Sequence, residues 1–529
     1  MLMKDQSAFK LTYSTMFNPP EELHTRFNEA LVQVEANLGR EHAMIIDGKD
    51  RLASEKIEDR SPADTDIVLG IFQKGTRQDA QDAVAAARQA FPGWSKMPWQ
   101  KRVELLRKAA SIIDRRIFEI GVVVAMEVGK NRMEALGDVA EMADLFRYAC
   151  SQMEENNGYV TEMGRDPLTG YISTNTSVMR PYGVWVVISP FNFPCALTGG
   201  PAAAALVAGN TVVIKPATDT PWTSRLLAEC LREAGLPDGV YNYVTGPGST
   251  LGQALIDNPD IDGITFTGSF DVGMKIYRDF GNGRYIRPTI LELGGKNAAM
   301  VSRHANLEDA AIGIMRSAFG LQGQKCSACS RVLVELPVYD ELVSRLVALT
   351  NKIAIGDPTD RNVYLGPVVN KSSYADYQRF IAEIAQSGHI LTGGKVLTEG
   401  NFARGYFCAP TFAELPLTHR LWQEEMFLPI TTIAPVDSLH DAMQIANSVN
   451  YGLTAGFYGT EEEVAWFFEN IEAGVTYANR PMGATTGAWP GFQPFGGWKG
   501  SGSTGKNSGG VHYLPLYMHE QIHTHVRRG

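Results

Sequence analysis

Four short β-branched runs, at residues 184–188, 211–215, 240–244 and 264–266, begin 27, 29 and 24 residues apart. That interval holds a strand, a turn and one crossover helix, so the chain is constrained to build βαβ units and, with them, a parallel sheet. Pro221 after Asp219-Thr220 presets a helix start, and Gly235 marks its end. A second alternating region follows Glu292, with strand-like segments at 331–335, 430–435 and 475–478 and helix-like ones at 338–353 and 439–447. The pattern predicts two α/β domains in series.

At 529 residues the chain has room for about three or four domain-sized units. Hydrophobic residues at 44% and charged residues at 20% describe a folded protein with ample material for a core. The 58 acidic residues against 48 basic ones leave a net charge of −10, the wrong sign for nucleic acid or an anionic membrane. Six scattered cysteines argue against a disulfide framework. Residues 1–20 lack the pattern of a secretory or transit peptide, and no apolar run is long enough to span a bilayer, so a cytoplasmic location is expected.

The first ~70 residues are charged and show little periodicity. Thr76 and Asp79 then resemble a capping box, Ala80, Val84, Ala87 and Phe91 follow at helical spacing, and Pro92-Gly93 is expected to stop the helix. Val103, Leu106, Ala110, Ile113, Ile117 and Ile120 predict a longer second helix. Residues 159–178 alternate like a hairpin around Asp166-Pro167-Leu168-Thr169-Gly170, and the tail from Gly496 is glycine-rich, then aromatic. Both segments read as surface loops or as arms that pack on a partner subunit.

Gly500-Ser501-Gly502-Ser503-Thr504-Gly505-Lys506 matches the glycine-lysine frame of a phosphate loop. It lacks the strand before and the helix after that such a loop requires, so it reads as a flexible or arm-like loop. Phe266-Thr267-Gly268-Ser269 does join a strand to a helix, and serves equally as a tight turn or as a pyrophosphate cradle. The most informative stretch is Gly323-Gln324-Lys325-Cys326-Ser327-Ala328-Cys329. A thiol in a glycine-bounded loop beside Lys325 suits a nucleophile with a lowered pKa. A buried structural thiol, a redox pair and half a zinc site compete with that reading. Zinc lacks further ligands at suitable spacing, and the redox reading lacks a small thioredoxin-like unit. Glu292, at an apolar strand end 34 residues earlier, is either a structural acid or a general base of raised pKa.

In order along the chain stand Phe191-Asn192-Phe193-Pro194, Lys215-Pro216-Ala217, Phe266-Thr267-Gly268-Ser269, Glu292-Leu293-Gly294-Gly295-Lys296, Gly323-Gln324-Lys325-Cys326, Glu425-Met426-Phe427 and Pro494-Phe495-Gly496-Gly497. Together they resemble the aldehyde dehydrogenase superfamily, from about residue 40 to 520. The cysteine segment, Thr486-Gly487-Ala488 and the tail 505–513 look most like its 1-pyrroline-5-carboxylate dehydrogenase branch, which oxidises glutamate γ-semialdehyde.

The resemblance implies two Rossmann-like doubly wound α/β domains plus a small β oligomerisation arm. Residues 1–150 and 179–291 are expected to bind NAD(P), 292–494 to form the catalytic domain, and 151–178 with 495–529 to form the arm. It implies Cys326 as nucleophile, Asn192 with the Cys326 amide as oxyanion hole, and Glu292 as the base that hydrolyses a thioester. Lys215, Thr218, Ser189, Gly268, Ser269, Glu425 and Phe427 are implied cofactor contacts. NAD is the expected cofactor, with NADP possible because Thr218 stands where many NAD-preferring relatives carry Glu. Gly487 and Ala488 are implied to hold a substrate carboxylate, and Phe193 and Phe495 to flank its aliphatic chain. No metal is implied. The partners implied are a small-molecule aldehyde, further copies of the chain in a homodimer or larger homo-oligomer, and proline dehydrogenase as a candidate supplier of substrate. The alternatives are an aldehyde dehydrogenase for another semialdehyde or aliphatic aldehyde, and a catalytically silent member of the fold.

Overall fold

The computed structural model describes residues 19–167, 169–482 and 489–529. Two seven-stranded sheets dominate it. The first runs in the order Thr289–Glu292, Gly263–Thr267, Val184–Ile188, Thr211–Lys215, Tyr241–Tyr243, Met44–Ile46, Lys49–Arg51. Its first five strands are parallel and its last two antiparallel. The strands expected at 184–188 and 211–215 have those bounds, and the other two shift by one residue at each end, one shorter and one longer than expected. The parallel part of the sheet starts at Val184–Ile188, steps outward one way, then crosses back to Gly263–Thr267 on the other side. Strand order therefore reverses between these two neighbours, which opens a crevice at their carboxyl ends.

The second sheet runs His389–Thr392, Thr411–Glu414, Ile430–Val436, Cys329–Glu335, Asn297–Val301, Thr454–Tyr458, Val475–Ala478. It is parallel except for its first strand, which pairs antiparallel. Four residues, Leu293 to Lys296, carry the chain from the edge strand of the first sheet to a central strand of the second.

Thr76 and Asp79 form a full capping box at the start of helix Arg77–Lys96. That helix runs through Pro92 instead of stopping there. Pro92 lies on the exposed face, where water can satisfy the Arg88 carbonyl left without an amide. Two residues on, Trp94 is buried and its Nε1–H donates to the Leu206 carbonyl at 3.1 Å, which holds the helix down past the proline. The expected longer second helix divides into Trp99–Arg115 and Ile117–Val128, because Arg116 leaves helical geometry at φ −96°, ψ 13°. In the charged first stretch, helix Glu21–Glu35 buries Leu23, Phe27, Ala30 and Val34, a sparse stripe among polar neighbours.

The 24-residue helix Arg132–Glu155 crosses the position expected as the arm's beginning. Strands Val160–Glu162, Tyr171–Pro181 and Met518–Arg528 then form a separate antiparallel sheet. The tail thus returns across more than three hundred residues of chain to pair with the hairpin, Met518 opposite Pro181 and Arg528 opposite Tyr171. Among the described residues no helix is long and apolar enough to cross a membrane.

Asn210 ties this arm to the first sheet. Its Oδ1 accepts from the Gly183 amide at 2.9 Å, and its Nδ2 donates to the carbonyls of Ala205 at 3.2 Å and Tyr517 at 2.9 Å, all without solvent access. Asn210→Ala takes this partner from the Gly183 amide and the Tyr517 carbonyl, while the Ala205 carbonyl keeps the Asn210 backbone amide; it is expected to cost about 2–4 kcal/mol, read as a lowered Tm against wild type.

Candidate active site

At the strand-order reversal lies a cleft of about 760 Å³. Its walls include Ser189 and Asn192 after the Val184–Ile188 strand, Lys215 and Thr218 after Thr211–Lys215, and Gly268 and Ser269 after Gly263–Thr267. Glu425 and Phe427 close it from the second half of the chain, with Glu292 and Cys326 at its inner end. All ten residues expected to meet cofactor or carry chemistry face one space. A second, narrow chamber is lined by Phe193, Phe495, Leu145, Leu197, Glu141 and Ser508, and shares Cys326 and Glu292 with the cleft. Gly487 and Ala488 lie outside the described residues.

The cleft fits a dinucleotide on its own chemistry. Ser269 precedes helix Phe270–Gly281 in extended geometry and makes no side-chain cap, leaving the first amides of the helix available to an anion. The hydroxyls of Ser189 and Thr267, both on the cleft wall, are buried without a hydrogen-bond partner. Lys215 is buried, and desolvation lowers its pKa to about 8.

The cysteine loop is shaped by backbone strain. After helix Leu307–Phe319, Leu321, Gln322 and Gly323 have φ of 50°, 56° and 67°. At Gly323 a Cβ would also collide with the Leu428 carbonyl, so glycine is required there twice over. Gln324, fully buried, lends its carbonyl to the Asn192 side chain, whose Nδ2 donates at 3.0 Å. The Cys326 carbonyl accepts from Asn297 Nδ2 at 2.6 Å. A Cβ on Gly295 would come within 2.5 Å of that same carbonyl. The half-buried thiol is thus held at the junction of the two spaces.

Lys325 does not leave this thiol with the lowered pKa that its adjacency in sequence suggested. Its ammonium turns the other way, into a buried region shared with Glu134, where both groups lie against Gly320. Burial, followed by the facing carboxylates of Glu425 and Glu292, pushes the Cys326 thiol up instead. Cys329 opens a strand, its Sγ 3.5 Å from the Arg331 carbonyl, and burial raises its pKa to about 12. Among the described residues no group of three or more His, Cys, Asp or Glu is placed to hold a metal.

Burial alone raises Glu292 to about 8. Glu425 is raised to about 7 by burial, against the Gly295 amide that donates to it at 2.8 Å. The stretch read as a flexible loop, 500–506, instead clamps the segment that carries Glu292. Ser501 is fully buried; its Oγ donates to the Gly294 carbonyl at 2.7 Å and accepts from the Gly452 amide, and its carbonyl accepts from the Leu293 amide. Small residues that look like freedom in sequence here permit close packing of backbone on backbone.

Helix Arg132–Glu155 was not singled out from the sequence, yet it lines the site. Glu134, Asp138 and Glu141 project from one face at helical spacing. Glu134 accepts from the Leu321 amide of the cysteine loop at 2.9 Å, Asp138 meets the turn after Asn192, and Glu141 lines the narrow chamber. The available signal was three acids spaced four and three residues apart among apolar neighbours. In a sequence alone that stripe reads as a solvated face.

A parallel sheet with a nucleotide-sized cleft at its switch point, opening onto a thiol beside one buried and one half-buried carboxylate, describes a cofactor-dependent enzyme. Residues 50–522 match the model of the Aldehyde dehydrogenase family, and the chain belongs to that family. It is 39% identical over 498 residues to 1-pyrroline-5-carboxylate dehydrogenase of Geobacillus sp. (strain WCH70), a match covering 93% of this chain and 94% of that relative. Among solved structures, 1-pyrroline-5-carboxylate dehydrogenase from Thermus with bound NAD aligns at a TM-score of 0.91 and 34% identity, covering 100% of both chains. Proline utilization A (PutA) from Bdellovibrio bacteriovorus aligns at 0.91 and 33% identity over 99% of this chain and 54% of its own.

A reaction here that draws a proton onto Glu292 is limited below pH 8 by the small ionised fraction. Its rate is expected to climb about tenfold per pH unit toward about 8 and to level off above, where the carboxylate is already ionised. Glu292→Gln is expected to abolish that limb in a kcat–pH profile.

Proposed function

We propose that the protein oxidises L-glutamate γ-semialdehyde, the open form of 1-pyrroline-5-carboxylate, to L-glutamate with NAD or NADP, as a step of proline degradation. One observation carries this: Cys326 and Glu292 stand where the dinucleotide-sized cleft meets a narrow chamber lined by two aromatic rings and the carboxylate of Glu141. The rings suit a short aliphatic chain, and Glu141 suits an α-ammonium group. The relatives named above support the substrate.

Cys326 attacks the aldehyde carbon once its proton has passed to a base, forming a tetrahedral adduct. The second N–H of the Asn192 amide and the Cys326 backbone N–H bind the developing oxyanion; losing one such donor typically costs about 10²–10³ in rate. A nicotinamide dinucleotide in the cleft accepts the hydride expelled as the adduct collapses to a thioester. Glu292, in its ionised fraction, takes a proton from water, and the resulting hydroxide cleaves the thioester, releasing the acid and the thiolate. In this proposal, of the residues that line the cleft, Lys215 and Thr218 meet the adenosine side, Ser189, Gly268 and Ser269 the pyrophosphate region, and Glu425 with Phe427 the nicotinamide ribose. Gly487 and Ala488 anchor the substrate carboxylate through their amides.

In this reading residues 1–150 and 179–291 bind the dinucleotide, 292–494 carry the nucleophile, and 151–178 with 495–529 join copies of the chain in a homodimer or larger assembly. Proline dehydrogenase supplies the substrate. All six cysteines are free thiols, which suits a reducing cytoplasm.

Cys326→Ala is expected to abolish aldehyde-dependent NADH formation while leaving the Tm within a few degrees of wild type. Across a panel of aldehydes, kcat/KM is expected to be highest for glutamate γ-semialdehyde. Preference for succinate semialdehyde or simple aliphatic aldehydes would sink the substrate assignment. Thr218→Glu places a carboxylate at the adenosine end and is expected to reduce NADP use about tenfold or more relative to NAD, measured as the ratio of kcat/KM for the two cofactors.

A further inference from the structure

Asp138 and Lys130 form an ion pair at 3.0 Å with both side chains wholly removed from solvent. The Asp138 carboxylate also accepts from the Ala196 amide at 2.9 Å and the Cys195 amide at 3.4 Å. These amides open helix Ala196–Ala208, whose own N-cap residue, Cys195, supplies no side-chain cap. A carboxylate from another helix therefore does what a local Ser or Asp does at most helix starts. Lys130 sets its ammonium 3.7 Å from the centroid of the Phe193 ring. The pair thus grips the Asn192-Phe193-Pro194 turn from two sides, by the amides that follow it and by an aromatic ring within it.

Sequestering two charges from water is costly, and a neutral cap would hold a helix start without that cost. What the charges add is direction: a bonded carboxylate and a cation seated on a ring leave the turn few orientations. We propose that Lys130 and Asp138 are positioning residues that aim the Asn192 amide at the aldehyde oxygen, acting through the turn they grip. This rests on Asn192 serving as oxyanion donor in the function proposed above. The Gln324 carbonyl occupies one N–H of that amide, and Asn192 and Cys326 line the same cleft, where the pair keeps the other N–H for the substrate oxygen.

The test is a mutant cycle. Lys130→Met/Asp138→Leu replaces both charges with apolar groups of similar size, the change a buried pair tolerates best. It is made alone and in an Asn192→Ala background, and kcat, the KM for NAD and Tm are read with glutamate γ-semialdehyde and with propanal. The expected result is a Tm close to wild type, an unchanged KM for NAD, and a kcat lowered about ten- to a hundredfold, part of what an oxyanion donor is worth. In the Asn192→Ala background the same change is expected to cost less than about twofold more. Groups acting through Asn192 have nothing left to lose there, whereas independent effects multiply. Recovery of wild-type kcat along with Tm, or a full multiplicative loss in the Asn192→Ala background, would overturn the proposal. If the double variant does not fold, Asp138→Asn, which retains an acceptor for Ala196, enters the same cycle under the same criteria. A wild-type enzyme that oxidises neither aldehyde defeats the proposed function and this inference together; an active one indifferent to the pair defeats this inference alone.

Discussion

The site depends on one short crossing. Leu293 to Lys296 leave the edge of the first sheet and enter the middle of the second, so whatever ends the one and begins the other is brought together. Glu292 closes the first strand, and Asn297 opens the next and holds the Cys326 carbonyl. Between them the Gly295 amide donates to Glu425, and the missing Cβ of Gly295 lets the cysteine loop approach. A side chain there would force either the nucleophile loop or the sheet junction apart. Ser501 holds the first two of these residues, Leu293 and Gly294, by hydrogen bonds to their backbone.

Close packing at the crossing sets the electrostatics as well. Removed from water, Glu292 and Glu425 are held near neutral pH, and the thiol facing them is kept protonated. At neutral pH Glu292 and the thiol are therefore held largely protonated, while Glu425 stands about half ionised. Charge is concentrated one layer deeper, where Lys130, Asp138, Glu134 and Lys325 offset one another beneath the turn and the cysteine loop. The inner layer holds geometry while the outer layer is free to exchange protons.

Much of this was legible in the sequence, for identifiable reasons. Strand positions at 184–188, 211–215 and 475–478 carried β-branched runs whose period reports a buried parallel sheet. The Thr76 cap was legible because capping is local. Motif order brought Cys326, Glu292, Asn192 and the cleft residues into view together, and they share one space. The failures have a common cause. Pro92 was overridden by Trp94 packing on a distant helix. Lys325 was misjudged because neighbours in sequence need not face one another, and the 500–506 glycines because close backbone packing and flexibility have the same composition.

By itself the sequence determined what depends on nearest neighbours and short periods: the alternation of strand and helix, the Thr76 cap, and the chemical kinds of residue offered at each loop. Tertiary structure alone decided which of those residues meet. The acid stripe of helix Arg132–Glu155 looks like a solvated face until the fold buries it beneath Asn192 and Cys326. Burial is a property of the whole packing, and burial is what turns an ordinary carboxylate into one poised near pH 8, or an ordinary Lys–Asp pair into a rigid clamp.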